Sequence, residues 1–185
     1  MTLLVKICLL GNGKVGKTSL VNRYLGKGFT SEYTPTLGSD FLSKQVTLDT
    51  AYGLKELRFQ IWDLAGQPAF NQVRKLYYKG AAGAFVVFDL TNPFLSDLEK
   101  WLKEFSKNIE LHSSSVIILG NKSDLTGEIK ITPNTVRNYI DKYLTNKFQN
   151  IDTQIDYYST SAKDGTNVEL AFSTLGGRII EKLYQ

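Results

Sequence analysis

The chain reads as one α/β domain spanning residues 1–185, with a doubly wound, mostly parallel six-stranded sheet and helices on both faces. Three observations carry that reading. Short apolar runs alternate with segments of helical periodicity, the runs tend to be followed by glycine, asparagine or aspartate, and a glycine-rich loop stands between the first run and the first helical pattern.

The runs are Leu3 to Leu10, Leu57 to Trp62, Ala84 to Leu90, Val116 to Leu119 and Ile155 to Tyr158. Each is short and apolar on both sides, as strands covered on two faces must be. Phe41 to Asp49 alternates instead, and a turn at Thr50 to Gly53 joins it to the Leu57 run, which predicts a hairpin and one antiparallel strand. Thr132 and Pro133 are a cap and first-turn pair, after which Val136, Tyr139, Ile140, Tyr143 and Leu144 recur at helical spacing. Pro93 to Leu111 supplies another helix, with Leu95, Leu98, Leu102, Phe105 and Ile109 inward. In the last helix Val168, Phe172, Leu175, Ile179 and Leu183 form the apolar face, and Thr166 with Glu169 predicts a capping box. Gly176 and Gly177 weaken that helix by roughly 1 kcal/mol each.

A chain with 42% hydrophobic residues can bury a core without disulfides. Its single cysteine, Cys8, lies in an apolar run and reads as a buried thiol, which fits a reducing compartment. The net charge of +4 is too mild to point to nucleic acid. No apolar stretch is long enough to span a bilayer, and the final residues, IIEKLYQ, hold no cysteine for prenylation. The expectation is a cytoplasmic monomer, peripheral at most at a membrane surface.

After the first strand come Gly11, Asn12, Gly13, Lys14, Val15, Gly16, Lys17 and Thr18, followed by Ser19, a fit to G-x-x-x-x-G-K-[ST] between a strand and a helix. A phosphate chain is a dense anion, best held by converging backbone N–H groups at a helix N-terminus. Lys17 supplies a point charge for the β- and γ-phosphates, and Thr18 a hydroxyl for Mg²⁺. Asp63 and Gly66, in Asp63-Leu64-Ala65-Gly66-Gln67, end a strand where ligands bind in such sheets. Asp63 is placed to act on Mg²⁺, and the Gly66 N–H to meet the γ-phosphate.

Asn121-Lys122-Ser123-Asp124 follows another strand. A carboxylate there accepts from the N1–H and exocyclic amine of guanine, whereas adenine offers an acceptor at N1 and leaves it unpaired. Ser161-Ala162-Lys163 closes the set, with the Ala162 N–H free for the guanine oxygen and Lys163 over the ring. An ATP-using kinase or ATPase would need a different base site.

These elements stand in one order, and through GNGKVGKT, TPTLGSDF, WDLAGQ, LYYKGAAGAFVVFDLT, GNKSD and TSAK the chain resembles the Ras superfamily of small GTPases, most closely Rab proteins. The resemblance implies a P-loop NTPase domain of strand order 2-3-1-4-5-6, GTP or GDP with Mg²⁺, and slow hydrolysis of GTP to GDP. It implies that Phe29 packs on the base, Tyr33 lines the site, and Thr36 closes over the γ-phosphate and ligates Mg²⁺ beside Thr18 and Asp63. Loss of that bond would release residues 30 to 40 and 64 to 78. Gln67 would orient the attacking water, with Lys17 and Thr36 as its partners in catalysis. Gly13 would leave the phosphate edge open.

Only 18 residues separate Lys17 from Thr36, too few for the helical insertion that carries an internal arginine finger in heterotrimeric G-protein α subunits. Arg23 reads as solvated rather than catalytic. Unaided turnover should therefore be slow and should rise about 10³- to 10⁵-fold with a partner's cation. The implied partners are an exchange factor, an activating protein and effectors. Phe41, Trp62 and Tyr77 match an aromatic trio that faces such partners in Rab-like proteins; aromatics in strands are ordinarily core, but Trp62 falls out of step with Leu57, Phe59 and Ile61. A scaffold that holds nucleotide without hydrolysing it is the alternative, and Gln67 and Thr36 speak against it. Two departures stand out: Pro68-Ala69-Phe70 stiffens the second switch, and the stretch from Asp124 to Ser161 predicts an enlarged loop around Asn146 to Thr153. His112 reads as solvated rather than a ligand.

Overall fold

A computed structural model describes residues 2–109, 114–145, 147–148, 151 and 154–185. One sheet of order β2-β3-β1-β4-β5-β6 runs through it. Its strands are β1 (Leu3–Leu10), β2 (Ser39–Thr50), β3 (Gly53–Leu64), β4 (Gly83–Asp89), β5 (Ser115–Asn121) and β6 (Asp156–Ser159). Among the described residues only the β2–β3 pair is antiparallel, closed by the expected turn, where Thr50 Oγ1 accepts from the Tyr52 N–H at 3.2 Å and donates to the Gly53 carbonyl at 2.8 Å. The Phe41 and Leu57 runs prove to be the middles of longer strands, because a hairpin extends pairing to its turn whatever the polarity of the outer residues.

Alternation sorts β1 and β3 onto two faces. Val5, Ile7, Leu9, Leu57, Phe59 and Ile61 pack under α1 (Lys17–Tyr24) and α5 (Val168–Tyr184). Cys8, Leu10 and Leu64 pack on the other face, under α2 (Asn71–Tyr78), α3 (Ser96–Ser106) and α4 (Pro133–Tyr139). Trp62 belongs to this second side, out of step with Phe59 and Ile61 as its position predicts. The parallel strands β1, β3, β4, β5 and β6 all end on one rim, which gathers the loops after Leu10, Leu64, Asp89, Asn121 and Ser159.

Several helix expectations need correction. The Pro93–Leu111 helix is shorter, Ser96–Ser106, because Asn92 Oδ1 takes the Phe94 N–H in a local turn that holds the backbone out of helix. Leu111 and His112 lie outside the described residues, as does most of the Asn146 to Thr153 loop. Thr132 caps α4 as expected, accepting from the Thr135 N–H. The helix then widens into a π turn over Ile140–Leu144, with the Thr145 N–H reaching back to the Ile140 carbonyl at 2.9 Å. Val136, Ile140 and Leu144 stay buried, while Tyr143 turns out to solvent.

The Thr166–Glu169 capping box does not form. Thr166 instead donates through its N–H and hydroxyl to Asp164 Oδ1, Asn167 stands at the N-cap position of α5 in a left-handed conformation with its amide donating to the Ser159 carbonyl, and Glu169 pairs with Lys44 at 3.4 Å. Leu183, expected inward, is 61% exposed at the helix end. The two glycines of α5 differ. A Cβ on Gly176 would sit 2.6 Å from Leu48 Cδ1 and 3.0 Å from Phe59 Cζ, whereas one on Gly177 would meet nothing within 4 Å. Gly177→Ala should therefore raise stability by about 1 kcal/mol through helix propensity. Gly176→Val should lower it by about 1–3 kcal/mol through overpacking, both read from urea unfolding midpoints.

Candidate functional site

The loop from Gly11 to Thr18 wraps the rim end of β1 and runs directly into α1. Gly16 takes φ 97°, and a Cβ there would lie 2.2 Å from Asn121 Nδ2, so the position tolerates no side chain. Among the described residues no side chain caps α1, which leaves its first N–H groups without a side-chain acceptor at the border of the cavity. That cavity, about 730 Å³, is bordered on one side by Gly13, Lys14, Gly16, Lys17, Thr18 and Ser19. Gly11, Asn12 and Val15 stand behind it. Val15 gives its carbonyl to Asn121 Nδ2 at 2.9 Å.

Lys17 is 7% exposed, and its Nζ donates to the Gly11 and Asn12 carbonyls at 2.8 Å each. Burial is the largest influence on this ammonium and lowers its pKa to about 8; Asp63 opposes the shift and Arg74 adds to it. Asp63 is fully buried at the end of β3, where Thr18 Oγ1 donates to its Oδ2 at 2.5 Å. Thr36 Oγ1 lies 3.0 Å from Thr18 Oγ1, so three oxygen-bearing side chains meet at one point. Burial raises the Asp63 carboxyl, and the Thr18 hydrogen bond and the Lys17 charge offset only part of that. Its Oδ1 is buried and has no hydrogen-bond partner among the described residues.

Such a set fits Mg²⁺, a hard cation content with one or two protein oxygens when phosphates and water complete its shell. Among the described residues no group of three or more His, Cys, Asp or Glu side chains offers an alternative metal site.

Gly66 presses directly on the Gly11–Thr18 loop. A Cβ there would lie 2.4 Å from the Gly11 carbonyl oxygen and 2.5 Å from the Asn12 carbonyl carbon. Next to it Gln67 borders the cavity, with its side-chain Oε1 buried and without a hydrogen-bond partner among the described residues. Pro68–Phe70 forms a short 3-10 turn with proline at its start, consistent with the expected stiffening. The open edge expected beside Gly13 is covered. Tyr33 reaches across, its hydroxyl 3.8 Å from where a Gly13 Cβ would stand, and Lys14 Nζ lies 5.3 Å from the Tyr33 ring centroid.

The other half of the cavity is bordered by Phe29, Asn121, Lys122, Asp124, Ala162 and Lys163. Fully buried Ser161 donates its hydroxyl to Asp124 Oδ1 at 2.7 Å and accepts the N–H groups of Lys163 and Asp164 at 3.2 Å each. The carboxylate is thereby fixed in direction. Lys122 Nζ donates to Asp89 Oδ2 at 2.5 Å. Burial pushes the Asp89 carboxyl up, but hydrogen bonds from Lys122 and Thr91 outweigh it and hold the group below its usual range.

Two expectations change here. The Ala162 N–H is engaged, donating to Asn121 Oδ1 at 3.2 Å, because Asn121 is itself buried and bridges three loops. Arg23 is not merely solvated: its Nε donates to the Ala162 carbonyl at 2.8 Å and its Nη2 to the Lys163 carbonyl, tying α1 to the loop after β6.

Sequence reading missed Arg74, which is 3% exposed. Its Nη1 donates to the carbonyls of Ala65 and Gln67 at 2.9 and 3.0 Å, while Nε and Nη2 grip the two Glu104 oxygens at 3.0 and 3.1 Å. Its i, i+4 relation to Tyr78, whose side chain is buried, was the available signal. Phe41, Trp62 and Tyr77 form a continuous surface row, with ring centroids 5.1 Å apart for the first pair and 4.7 Å for the second. Phe41 is half exposed and Leu76 beside Tyr77 is 75% exposed, while Trp62 and Tyr77 are partly buried and pack against the core of this face, so the row lies along the core's edge with its Phe41 end open to solvent.

Residues 6–181 match the Ras family. Among curated proteins, the GTP-binding protein yptV5 of Volvox carteri is 36% identical over 92% of this chain and 80% of its own. Ras-related protein Rab-7a of Paramecium octaurelia is 35% identical over 93% and 79%, and Ras-related protein Rab-8B of Pongo abelii 38% over 97% and 80%. With a glycine-rich strand-to-helix loop, a Thr–Thr–Asp cluster and a fixed carboxylate sharing one rim, and with this similarity over nearly its whole length, the chain belongs to the Ras family of small GTPases, Rab-like in sequence, which hydrolyse GTP to GDP and phosphate.

Proposed function

We propose that this chain, acting as a single domain and a monomer, binds GTP and GDP with Mg²⁺ in the 730 Å³ cavity and cycles between them as a switch in vesicle traffic at a membrane surface. The observation that carries the reading is the meeting of Thr18, Thr36 and Asp63, because Thr36 comes from a different loop and joins the cluster only when that loop is closed. Lys17 holds the β- and γ-phosphates, the α1 N-terminus adds its partial positive charge, and Asp124 selects guanine. Bound Mg²⁺ neutralises charge on the phosphate oxygens. Gln67, whose Oε1 lacks a partner, orients the attacking water.

Phe41, Trp62 and Tyr77 form the effector surface, flanked by the two loops that relax on hydrolysis. Regulation falls to an exchange factor and an activating protein. Tyr33 over Gly13 must move before a partner's cation can enter, and Arg23 and Arg74 are each held by main-chain carbonyls, which supports slow unaided turnover.

The test is phosphate release from GTP and from ATP by wild type and Gln67→Leu. GTP-selective release that slows at least tenfold in Gln67→Leu supports the switch. Equal inertness of both proteins, with nucleotide still bound, would favour a scaffold.

Binding should also depend on pH in one direction. Lys17 must be protonated to meet a phosphate, and with its pKa near 8 it already is at lower pH, so this group adds no pH dependence there. Above that point each binding event takes up a proton, and the Kd for GDP should rise by up to about tenfold per pH unit. Calorimetry on either side of pH 8, in buffers of different ionisation enthalpy, reads both the affinity and the proton.

A further inference from the structure

We propose that Trp101 is a positioning residue that joins the phosphate loop to the Gln67 segment, so that α3 holds two sides of the cleavage site in one register. This rests on the nucleotide reading above. Trp101 is 3% exposed on α3, and both its edge and its face are used.

The edge serves the phosphate loop. Trp101 Nε1–H donates to Asn12 Oδ1 at 3.0 Å, and Asn12 Nδ2 donates to Asp97 Oδ2 at 2.5 Å, one helical turn earlier on α3. Both ends of the Asn12 amide are therefore held by one helix. The same residue offers its main-chain oxygen to Lys17 Nζ, so fixing the Asn12 side chain also fixes an anchor of the phosphate-binding lysine.

The face serves the other loop. The Arg74 guanidinium carbon lies 4.6 Å from the Trp101 ring centroid, and Arg74 pins the carbonyls of Ala65 and Gln67. The two arms converge at Gly66, whose backbone abuts Gly11 and Asn12 too closely for any Cβ. A displacement of either loop must then break the indole hydrogen bond, slide a guanidinium off a ring or force Gly66 into the phosphate loop. A shift in the lysine's anchor is thus transmitted to the main chain at Gln67 through Trp101 and Arg74, both of them buried.

The two arms can be separated. Trp101→Phe keeps a ring face for Arg74 but leaves Asn12 Oδ1 without its donor. Asn12→Asp keeps an acceptor for the indole but sets a carboxylate against Asp97, and Asp97→Asn in the same chain restores a donor there. Release of a fluorescent GDP and single-turnover GTP cleavage are measured for all, beside thermal melting. Release should rise about tenfold in Asn12→Asp and in Trp101→Phe, and cleavage should slow in both. In Asn12→Asp/Asp97→Asn, release should return to within about twofold of wild type. A general loss of stability would lower melting without that recovery.

Wild-type rates in both single variants, or a double variant no nearer wild type than Asn12→Asp, overturn the joint alone. A wild-type chain that holds no guanine nucleotide overturns the functional reading and this inference with it.

Discussion

An Asp124→Asn chain is expected to fold normally yet bind GDP about 10²- to 10⁴-fold more weakly, the loss of two hydrogen bonds to a charged acceptor. The fold should survive because the new amide oxygen still accepts from Ser161 Oγ, which stands 2.7 Å from Asp124 Oδ1 and is itself held by two backbone N–H groups. What changes is the face shown to the base. The amide nitrogen turns donors toward the N1–H and amine of guanine, so attraction becomes opposition. A purine with a carbonyl in place of that amine should gain where guanine loses. Titration with GDP and with xanthosine diphosphate checks both halves, and equal affinities of wild type and variant for GDP would remove Asp124 from the base site.

The largest expected effect on stability is at Arg74. Arg74→Met should cost about 3–5 kcal/mol, since it strands a carboxylate already out of water and frees two main-chain oxygens. The Arg74 side chain is 4% exposed and that of Glu104 12%, and Tyr78 also donates to Glu104 at 2.6 Å. Burial pushes the Glu104 carboxyl up, but the hydrogen bonds from Arg74 and Tyr78 outweigh it and keep the group below its ordinary range. Adding Glu104→Gln removes the stranded charge, so the double variant should recover much of the loss. Urea unfolding of the four proteins of the cycle measures it, and an Arg74→Met loss within about 0.5 kcal/mol of zero would show that the network is not a stabilising one.

These two sites differ in how far the sequence announces them. Asp124 sits three residues after Asn121 at the end of an apolar run, a local pattern visible without coordinates. The alternation of Leu57, Phe59 and Ile61 against Trp62 likewise tells which face each residue takes, because strand geometry repeats every two residues. The Arg74–Glu104 grip spans 30 residues, the Asn12–Trp101 bond 89, and the Arg23–Ala162 tie 139. No period or spacing connects such pairs; they exist only once strands and helices have been stacked.

Local rules also lost where a neighbour offered more. Thr166 had a capping partner in sequence, but Asp164 was nearer and accepted both of its donors. Ala162 had an N–H in the right loop, but buried Asn121 needed it. The ends of α3 and α5 followed the same logic, with turn chemistry at Asn92 and the end of the sheet cover at Leu183 setting limits that periodicity does not see.

Cys8 lies on β1 facing α2, fully shielded, with its Sγ 3.6 Å from the Tyr77 carbonyl, to which it donates, and with burial pushing its pKa up to about 12. As the sole cysteine it is a sealed chemical reporter: a thiol-directed reagent can mark it only when α2 lifts off the sheet, so the pace of labelling reads how often the helix bearing Tyr77 breathes under each nucleotide.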